Sequence, residues 1–359
     1  MWRHRLSGNA ATGEELVPYR AVLAGCGAMS RGWLKAIAET PALSSEIEVV
    51  GLVDLDGAAA EARAAEAGLT KAYIGTDLDA ALTELKPDLL CDVVIPAARR
   101  DVVATALRHG CHVLTEKPMA TSMAEAREIV DLARKAGKLH AVCQNRRYNE
   151  GVRRIRATIA SGALGALNAI HCDFFVGAHF GGFREQMRDV LLVDMAIHTL
   201  DAARFMSGKV PLAVYCLEAN PKSSWWAHGS AANAIFEFSD DVIFNYRGSW
   251  SAEGANTSWD SSWRIVGSKG TLLWDGADKF EANVVAGDTG FFRPLAPIEV
   301  APANPNETQG HASVIEAFIA AIKSGKPPET AGTDNIKSLA MVFAAIESAD
   351  KRQRVAISA

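Results

Sequence analysis

Length, composition and charge limit what this chain can be. It has 359 residues, of which 49% are hydrophobic and 22% charged, with a net charge of −5 at pH 7. Such a chain is long enough for two substantial cores, and its lack of basic excess argues against nucleic acid or an anionic membrane as partner. No apolar run resembles a secretory signal in the first 18 residues or reaches the length of a membrane span. Six widely spaced cysteines without a CxxC pattern indicate a reducing cytoplasm.

The first predicted elements are a strand, a glycine turn and a helix. Residues 21–24 form a short apolar run, residues 25–30 read GCGAMS, and apolar residues at helical spacing follow. Gly25 permits a tight turn, and Gly27 lets backbone approach a pyrophosphate. The free N–H groups that begin the helix, at Ala28 and Met29, favour the phosphate charge. Ser30 stands where the dinucleotide fingerprint has its third glycine, and it is small enough to pack closely.

A second strand, residues 47–53, ends in Asp54, whose carboxylate is suited to accept hydrogen bonds from the adenosine ribose hydroxyls. The order strand, glycine turn, helix, strand and acid predicts a dinucleotide-binding site, and the alternative is a merely structural turn. Because no arginine or lysine follows Asp54 directly, and a carboxylate repels a 2′-phosphate, we expect NAD rather than NADP.

Further along the chain, strands and helices alternate to about residue 145, which predicts a parallel sheet covered on both faces. Beyond about residue 150 strands dominate, and two helices end the chain. The predicted fold is therefore an α/β Rossmann domain followed by an α+β domain with a large, mainly antiparallel open sheet. We expect an N-terminal extension at 1–19, the Rossmann domain at 20–145 and the α+β domain at 146–359. The C-terminal helix is a candidate to pack back on the Rossmann domain.

Two strand ends in the first half carry residues suited to a site. Pro96 follows one strand, and Glu116, Lys117 and Pro118 follow another, at the edge where ligands of parallel sheets bind. We expect Pro96 and Glu116 to contact cofactor and Lys117 to reach both cofactor and substrate. The alternative for Lys117 is a solvated loop residue.

In the second half, Asp194, His198 and Asp201 fall in one helical pattern, residues 190–206, at spacings of four and three. These spacings predict that the three polar groups share one face of an otherwise apolar helix. A histidine beside a carboxylate is suited to accept a proton near neutral pH. A satisfied core histidine is the alternative. A pair of metal ligands is the weakest interpretation of these residues, because no third ligand accompanies them. No metal site is therefore predicted.

Four further side chains are candidate substrate contacts. Arg147 and Tyr148 begin the connection between the predicted domains, His179 lies in a glycine-rich loop, and Trp226 lies in a tryptophan-rich turn. A polar hinge explains the first two equally well, and sheet or interface packing explains the tryptophan.

Taken in order, the motifs resemble the Gfo/Idh/MocA oxidoreductase family over roughly residues 20–350. They are the AGCGAM turn, Val53-Asp54, the stretch His109–Pro118 ending in Glu-Lys-Pro, Arg147-Tyr148, and Asp194-xxx-His198-xx-Asp201. The resemblance implies bound NAD(P), and an open sheet that often forms a homodimer or homotetramer. Two positions depart from the family's Thr-Pro-xxx-His pattern: Ile95 replaces the threonine and Arg100 the histidine.

The resemblance also assigns roles to three residues. Lys117, Asp194 and His198 match the family's catalytic positions, with His198 as general base and the other two assisting. It implies an NAD(P)-dependent dehydrogenase acting on a secondary hydroxyl of a sugar, polyol or inositol. The alternatives are a dinucleotide-binding regulatory protein without turnover and an NAD-using, non-redox glycosidase.

Overall fold

The computed structural model describes residues 17–359. Most of the N-terminal extension predicted at 1–19 therefore lies outside the described residues. By packing, the chain forms two units: one runs to Asn145 and includes Thr308–Asn335, and the other comprises Arg146–Glu307 and Ile336–Ala359. The domain boundaries predicted at 20–145 and 146–359 follow chain order and stay a prediction.

The first unit is built around a six-stranded parallel sheet with strand order β3-β2-β1-β4-β5-β6. The order reverses between β1 and β4, and ligands of such sheets bind beyond the carboxyl ends of the strands at that point. The strands are β1 Tyr19–Ala24, β2 Ile47–Val53, β3 Tyr73–Gly75, β4 Leu89–Asp92, β5 His112–Thr115 and β6 His140–Val142. The helices between them are α1 Ser30–Glu39, α2 Pro41–Glu46, α3 Gly57–Glu66, α4 Leu78–Leu85, α5 Pro96–Arg108 and α6 Met123–Ala136.

Local sequence explains where several of these helices begin and end. The side chains of Asp56, Asp77 and Ser122 accept hydrogen bonds from the first N–H groups of α3, α4 and α6. These caps satisfy donors that have no partner inside the helix. Gly137 ends α6 in the left-handed conformation that glycine adopts without strain.

The second unit contains a nine-stranded sheet with strand order β14-β13-β12-β11-β7-β10-β9-β8-β15. Its elements are α7 Glu150–Ala160, β7 Leu167–Phe175, a π-helix Leu191–Ala196, α8 Ile197–Ser207, β8 Pro211–Ala219, β9 Ala231–Phe238, β10 Ile243–Ser249, β11 Ser262–Gly267, β12 Gly270–Trp274, β13 Phe280–Val285 and β14 Leu295–Pro297. The chain closes with α9 Gly310–Ser324, α10 Gly332–Lys351 and β15 Val355–Ala356. Every neighbouring pair is antiparallel except β7 and β10.

The fold class predicted from the sequence is confirmed: a Rossmann-type parallel sheet precedes a mostly antiparallel one. The nine-stranded sheet buries one face, on which the rings of Phe236, Phe244 and Trp263 stack, with centroids 5.5 and 6.4 Å apart. The alternation of buried and exposed residues along β8 and β9 leaves the other face open. Within residues 17–359, no helix combines the length and apolar character that crossing a membrane requires.

The helix predicted over 190–206 differs from the structure in a way that matters for the site. Its first turns, Leu191–Ala196, form a π-helix, and only Ile197–Ser207 is α-helical. Asp201, which the sequence places on the same face as Asp194 and His198, is only 1% exposed, and its carboxylate is held by protein groups.

Those groups come from well-separated parts of the second unit. Arg147 donates from Nε and Nη2 to the two oxygens of Asp201, at 2.6 and 2.7 Å, and the Ser338 hydroxyl donates to the same carboxylate. Arg204 donates to Ser338 at 3.0 Å. This buried group ties α8 to the start of the unit and to α10. A buried charge that loses its partner is strongly destabilising.

We expect Asp201→Ala to lower the free energy of unfolding by about 3–5 kcal/mol, because it leaves the Arg147 guanidinium buried without its carboxylate. Urea denaturation followed by tryptophan fluorescence measures this. Glu347→Ala is the matched control: it removes an ion pair with Lys351 on the surface of α10, and we expect it to cost about 0.3–0.5 kcal/mol. Equal stability of the two variants would contradict the structural role of Asp201.

Candidate active site

The glycine turn after β1 needs glycine for two different reasons. Gly25 has φ +94°, and a Cβ there would lie 2.6 Å from the Val93 carbonyl carbon and 2.7 Å from the Val94 nitrogen. Since both atoms belong to the backbone beyond β4, no side chain could move aside. At Gly27, by contrast, a Cβ would meet nothing within 4 Å. The space in front of Gly27 is open, as an approaching pyrophosphate requires.

Side chains behind the turn satisfy its carbonyl groups. Ser30 is fully buried, and its hydroxyl donates to the Gly27 carbonyl at 2.6 Å. Arg63, on the buried face of α3, donates to the Cys26 carbonyl at 3.4 Å and to the Gly27 carbonyl at 3.3 Å. Sequence reasoning missed Arg63. The available signal was an arginine in line with the buried Ala60 and Ala64 of an alanine-rich helix.

Asp54 binds the turn from the neighbouring strand. Its Oδ2 accepts from the Cys26 N–H at 2.6 Å, and its Oδ1 accepts from the Asp56 N–H at 2.9 Å. These two bonds fix the orientation of the carboxylate at the carboxyl end of β2. Burial, and secondarily the nearby Asp54 charge, raises the pKa of Cys26 to about 11, so its thiol stays protonated at neutral pH.

The start of α1 is suited to an anion. No acidic residue lies in its first turn, and no side chain caps it at Met29, which is 45% exposed. Its N–H groups and the positive end of the helix dipole therefore favour a bound phosphate. Gly25, Gly27, Ala28, Met29 and Asp54 thus come together around one turn, and their roles in binding stay a prediction.

The ends of β4 and β5 are joined by one buried arginine. Arg99 is 1% exposed; it contacts Asp92 at 3.0 Å and also donates to the carbonyl of Pro118. Pro96 occupies the first turn of α5, where its missing N–H costs nothing. Arg100, which replaces the family's histidine, instead pairs with Glu128 on the surface. Arg99 is a second residue that sequence reasoning missed.

Glu116 forms a hydrogen-bonded group behind Lys117. Its Oε1 accepts from Trp33 Nε1 at 2.8 Å and lies 3.3 Å from His311 Nε2, while its Oε2 accepts from the Lys117 N–H at 3.0 Å. Burial raises the pKa of Glu116, but the hydrogen bonds with His311 and Trp33, together with the charges of His311 and Lys117, outweigh it, and the net pKa lies below the usual value. The ionised carboxylate therefore fixes the backbone that carries Lys117. His311, from α9, could not be connected to this motif by sequence spacing.

Cys143 completes a cluster around this carboxylate. One ligand-type atom each of Glu116, Cys143 and His311 lies within 4.8 Å of the others. The hydrogen bonds to Glu116 account for the position of the histidine, and burial raises the pKa of Cys143 well above its usual value. These contacts make the cluster a compact support beside Lys117, and the prediction that the protein binds no metal stays a prediction.

Asp194 and His198 lie one turn apart where the π-helix passes into α8. Both are half-buried, while most of their neighbours on this stretch are fully buried. Arg184 donates from Nε to Asp194 Oδ2 at 3.2 Å. π-helical turns are rare and occur frequently at functional sites. Asp194 and His198 thus keep some exposure on this stretch, whereas Asp201 belongs to the buried group with Arg147; the catalytic pairing of Asp194 and His198 stays a prediction.

The four candidate substrate contacts have different surroundings. Arg147 is 3% exposed and engaged with Asp201, and the Arg153 guanidinium lies over the Tyr148 ring, 4.6 Å from its centroid. The His179 side chain is 60% exposed and stacks on Trp225, with centroids 3.7 Å apart. Trp226 is 3% exposed, and its indole N–H donates to the Trp250 carbonyl at 3.2 Å. Contact of these four residues with substrate stays a prediction.

The two glycines of the turn should respond differently to the same substitution. We expect Gly27→Ala to keep the melting temperature, because its Cβ meets no protein atom, and to weaken NAD affinity by at least about tenfold. Gly25→Ala should lower the melting temperature as well, because its Cβ meets the backbone. Thermal denaturation and calorimetric titration with NAD measure the two effects. Wild-type NAD affinity in Gly27→Ala would show that the pyrophosphate does not approach this residue.

Comparison with known proteins identifies the family. Residues 19–144 match the model described as the oxidoreductase family with an NAD-binding Rossmann fold, and residues 152–273 match the GFO/IDH/MocA C-terminal domain. The D-apiose dehydrogenase of Paraburkholderia graminis is 26% identical over 363 residues, covering 96% of this chain and 92% of that protein. The inositol 2-dehydrogenase of Rhizobium meliloti is 24% identical over 357 residues, covering 94% and 98%.

A solved structure has the same fold over nearly the whole chain. It is an oxidoreductase from Agrobacterium radiobacter in complex with NAD+, L-tartaric acid and magnesium, with a TM-score of 0.82 at 20% identity, and the match covers 95% of this chain and 99% of that one. The resemblance found in the sequence motifs is thereby confirmed. This chain belongs to the Gfo/Idh/MocA family of oxidoreductases, and its N-terminal part is an NAD-binding Rossmann domain.

Proposed function

We propose that the protein is an NAD-dependent dehydrogenase that oxidises a secondary hydroxyl of a sugar, polyol or inositol. The observation that carries the proposal is that Asp194 and His198 are both half-buried on one largely buried helical stretch, in a chain of this family that also has Lys117. The names of two full-length relatives, a D-apiose dehydrogenase and an inositol 2-dehydrogenase, support a small hydroxylated substrate.

Each of the three residues has a role in this proposal. His198 accepts the proton of the reacting hydroxyl as general base. Lys117 donates a hydrogen bond to the oxygen of that hydroxyl and stabilises the negative charge that develops there. Asp194 orients the substrate and modulates the basicity of its neighbours. NAD, when bound, supplies the hydride acceptor, and the protein supplies position and charge.

The preference for NAD over NADP follows from Asp54. Its carboxylate is held by the N–H groups of Cys26 and Asp56 at 2.6 and 2.9 Å, so it cannot easily turn away from a ribose that sits there. A 2′-phosphate would meet this fixed negative charge. Arg63 does not offset it, because its guanidinium is committed to the turn carbonyls and to Glu66.

We also propose a homodimer or homotetramer that associates through the open face of the nine-stranded sheet. Tyr215, Leu217 and Ile235 are 41%, 50% and 50% exposed on that face, and they line a depression of about 970 Å³. Contiguous exposed apolar side chains of this kind commonly mark interfaces. The cytoplasmic location stays a prediction from the cysteine pattern.

The decisive experiment follows NADH production with purified protein, NAD and a panel of sugars, inositols and sugar acids, with NADP in parallel. We expect NADH with at least one member of the panel and a slower reaction with NADP. If NAD binds but no substrate is oxidised, the result contradicts the dehydrogenase and favours the dinucleotide-binding regulatory protein. Release of a hydrolysis product without accumulation of NADH would instead favour the glycosidase.

Replacing Lys117 tests the assignment of roles. We expect Lys117→Ala to lower kcat by at least about 100-fold with the substrate that the panel identifies, because it removes the group that stabilises the developing negative charge. NAD affinity should stay nearly unchanged. Lys135→Ala, on the exposed side of α6, is the matched control and should leave kcat unchanged. Wild-type turnover in Lys117→Ala would refute the role.

A further inference from the structure

Three large aromatic side chains lie exposed beside the helix that carries Asp194. Phe180, Phe183 and Trp259 are 42%, 71% and 51% exposed. Phe180 packs against Trp259, with centroids 6.4 Å apart. We call these three residues the aromatic surface. Exposed aromatic side chains that cluster in this way are unusual unless they bind something.

The aromatic surface has a rigid base. The Trp250 ring, which is 2% exposed, packs edge-on against Phe180 at 5.2 Å and against Trp259 at 5.6 Å. Trp226 supports Phe180 from the same side, at 6.1 Å. Two exposed rings are thus held in fixed positions by two buried ones, so little conformational freedom is lost when a ligand stacks on them.

Two arginines connect this surface to the catalytic helix. The Arg184 guanidinium carbon lies 5.4 Å from the Phe180 centroid and 5.5 Å from that of Phe183, and its Nε donates to Asp194 at 3.2 Å. On the Trp259 side, Arg146 donates to the Trp259 carbonyl and lies 3.6 Å from the sulfur of Met195. One side chain therefore lies between the aromatic surface and Asp194 on the Phe180 side, and one lies between the surface and Met195, the residue after Asp194, on the Trp259 side.

The chemistry of the surface selects a ring with polar substituents. Aromatic faces carry partial negative charge, and they attract the C–H edges of sugar and aryl rings. Polar groups stand beside the rings: Arg184, Asp260, which pairs with Arg146 at 3.2 Å, and His179, which lies 2.8 Å from Glu253. Apolar faces combined with a few polar groups are typical of small-molecule sites.

We propose that Phe180, Phe183 and Trp259 form a stacking subsite for a second ring of the substrate. The inference rests on the proposed dehydrogenase function and names its substrate class: a glycoside whose aglycone or second sugar is a ring. The oxidised ring lies by Asp194 and His198, and the second ring lies on the aromatic surface. A single polyol or free monosaccharide leaves this surface uncovered.

The test compares glycosides that differ only in the second ring. Phenyl and methyl glycosides of glucose, galactose and xylose are assayed for NADH production, and their binding to the protein–NADH complex is measured by calorimetry. We expect kcat/KM and affinity for the phenyl compound to exceed those for the methyl compound of the reactive sugar by about tenfold. Trp259→Ala and Phe180→Leu should reduce this ratio to about one.

Phe291→Ala, which removes a ring that is 96% exposed on a different loop, is the matched control and should keep the full ratio. The melting temperature of each variant shows that it folds. If the wild type oxidises the glycosides but its kcat/KM is about equal for the phenyl and methyl compounds, the subsite is overturned and the dehydrogenase function is supported. Preferential binding of phenyl glycosides without any turnover would support the subsite and overturn the dehydrogenase. A change of oligomeric mass in Trp259→Ala would overturn the subsite, because it would assign the surface to a second copy of the chain.

Discussion

The nucleotide site of this protein depends on how the polar backbone groups of one glycine turn are satisfied. A turn that must approach a pyrophosphate cannot fill the space in front of it with side chains, yet its buried N–H and C=O groups still need partners. Asp54 accepts from the Cys26 N–H, and Arg63 and Ser30 donate to the carbonyls of Cys26 and Gly27. A Cβ at Gly27 would still meet nothing within 4 Å, so these contacts satisfy the turn without filling the space in front of that residue.

The same solution occurs at the edge that carries Lys117. There the Glu116 carboxylate accepts the Lys117 N–H while Trp33 and His311 hold its other oxygen. A buried carboxylate without donors would be costly, whereas one with three polar partners is a rigid support. Trp33 belongs to α1, the helix that begins at the glycine turn. The elements that surround the predicted cofactor and the predicted catalytic lysine therefore share one hydrogen-bonded core in the first unit.

Much of the fold could be predicted from local pattern. The bounds of β2 agree with the strand predicted at 47–53, because a buried strand of this length has an unambiguous composition. Short elements such as α2, β13, β14 and β15 cannot be recognised in the sequence, since six or fewer residues of mixed polarity carry little periodic signal. Two groups of candidate site residues could be recognised in the sequence because their members are close together in the chain. They are the glycine turn with Asp54, and Asp194 with His198.

What the sequence could not supply was the partners that act over long chain separations. In the sequence, Arg63, Arg99 and His311 are indistinguishable from other helix residues. In the fold, Arg63 contacts Cys26, Arg99 contacts Asp92 and His311 contacts Glu116. Aromatic residues posed a related difficulty: Trp226 and Trp259 both lie in polar turns, but the first is 3% and the second 51% exposed. Local composition does not show which of two such tryptophan rings is buried beneath a surface and which is exposed on it.

The π-helical segment has a further consequence for how this site could change in evolution. A π-turn is what an α-helix becomes when one residue is inserted into it, and each helical residue turns the chain by about 100°. Deleting one residue within Leu191–Ala196 would therefore restore a regular helix and rotate everything before the deletion relative to His198. Deletion of Met195 or Ala196 would thus change the direction of the Asp194 carboxylate relative to the His198 imidazole while a regular helix remains.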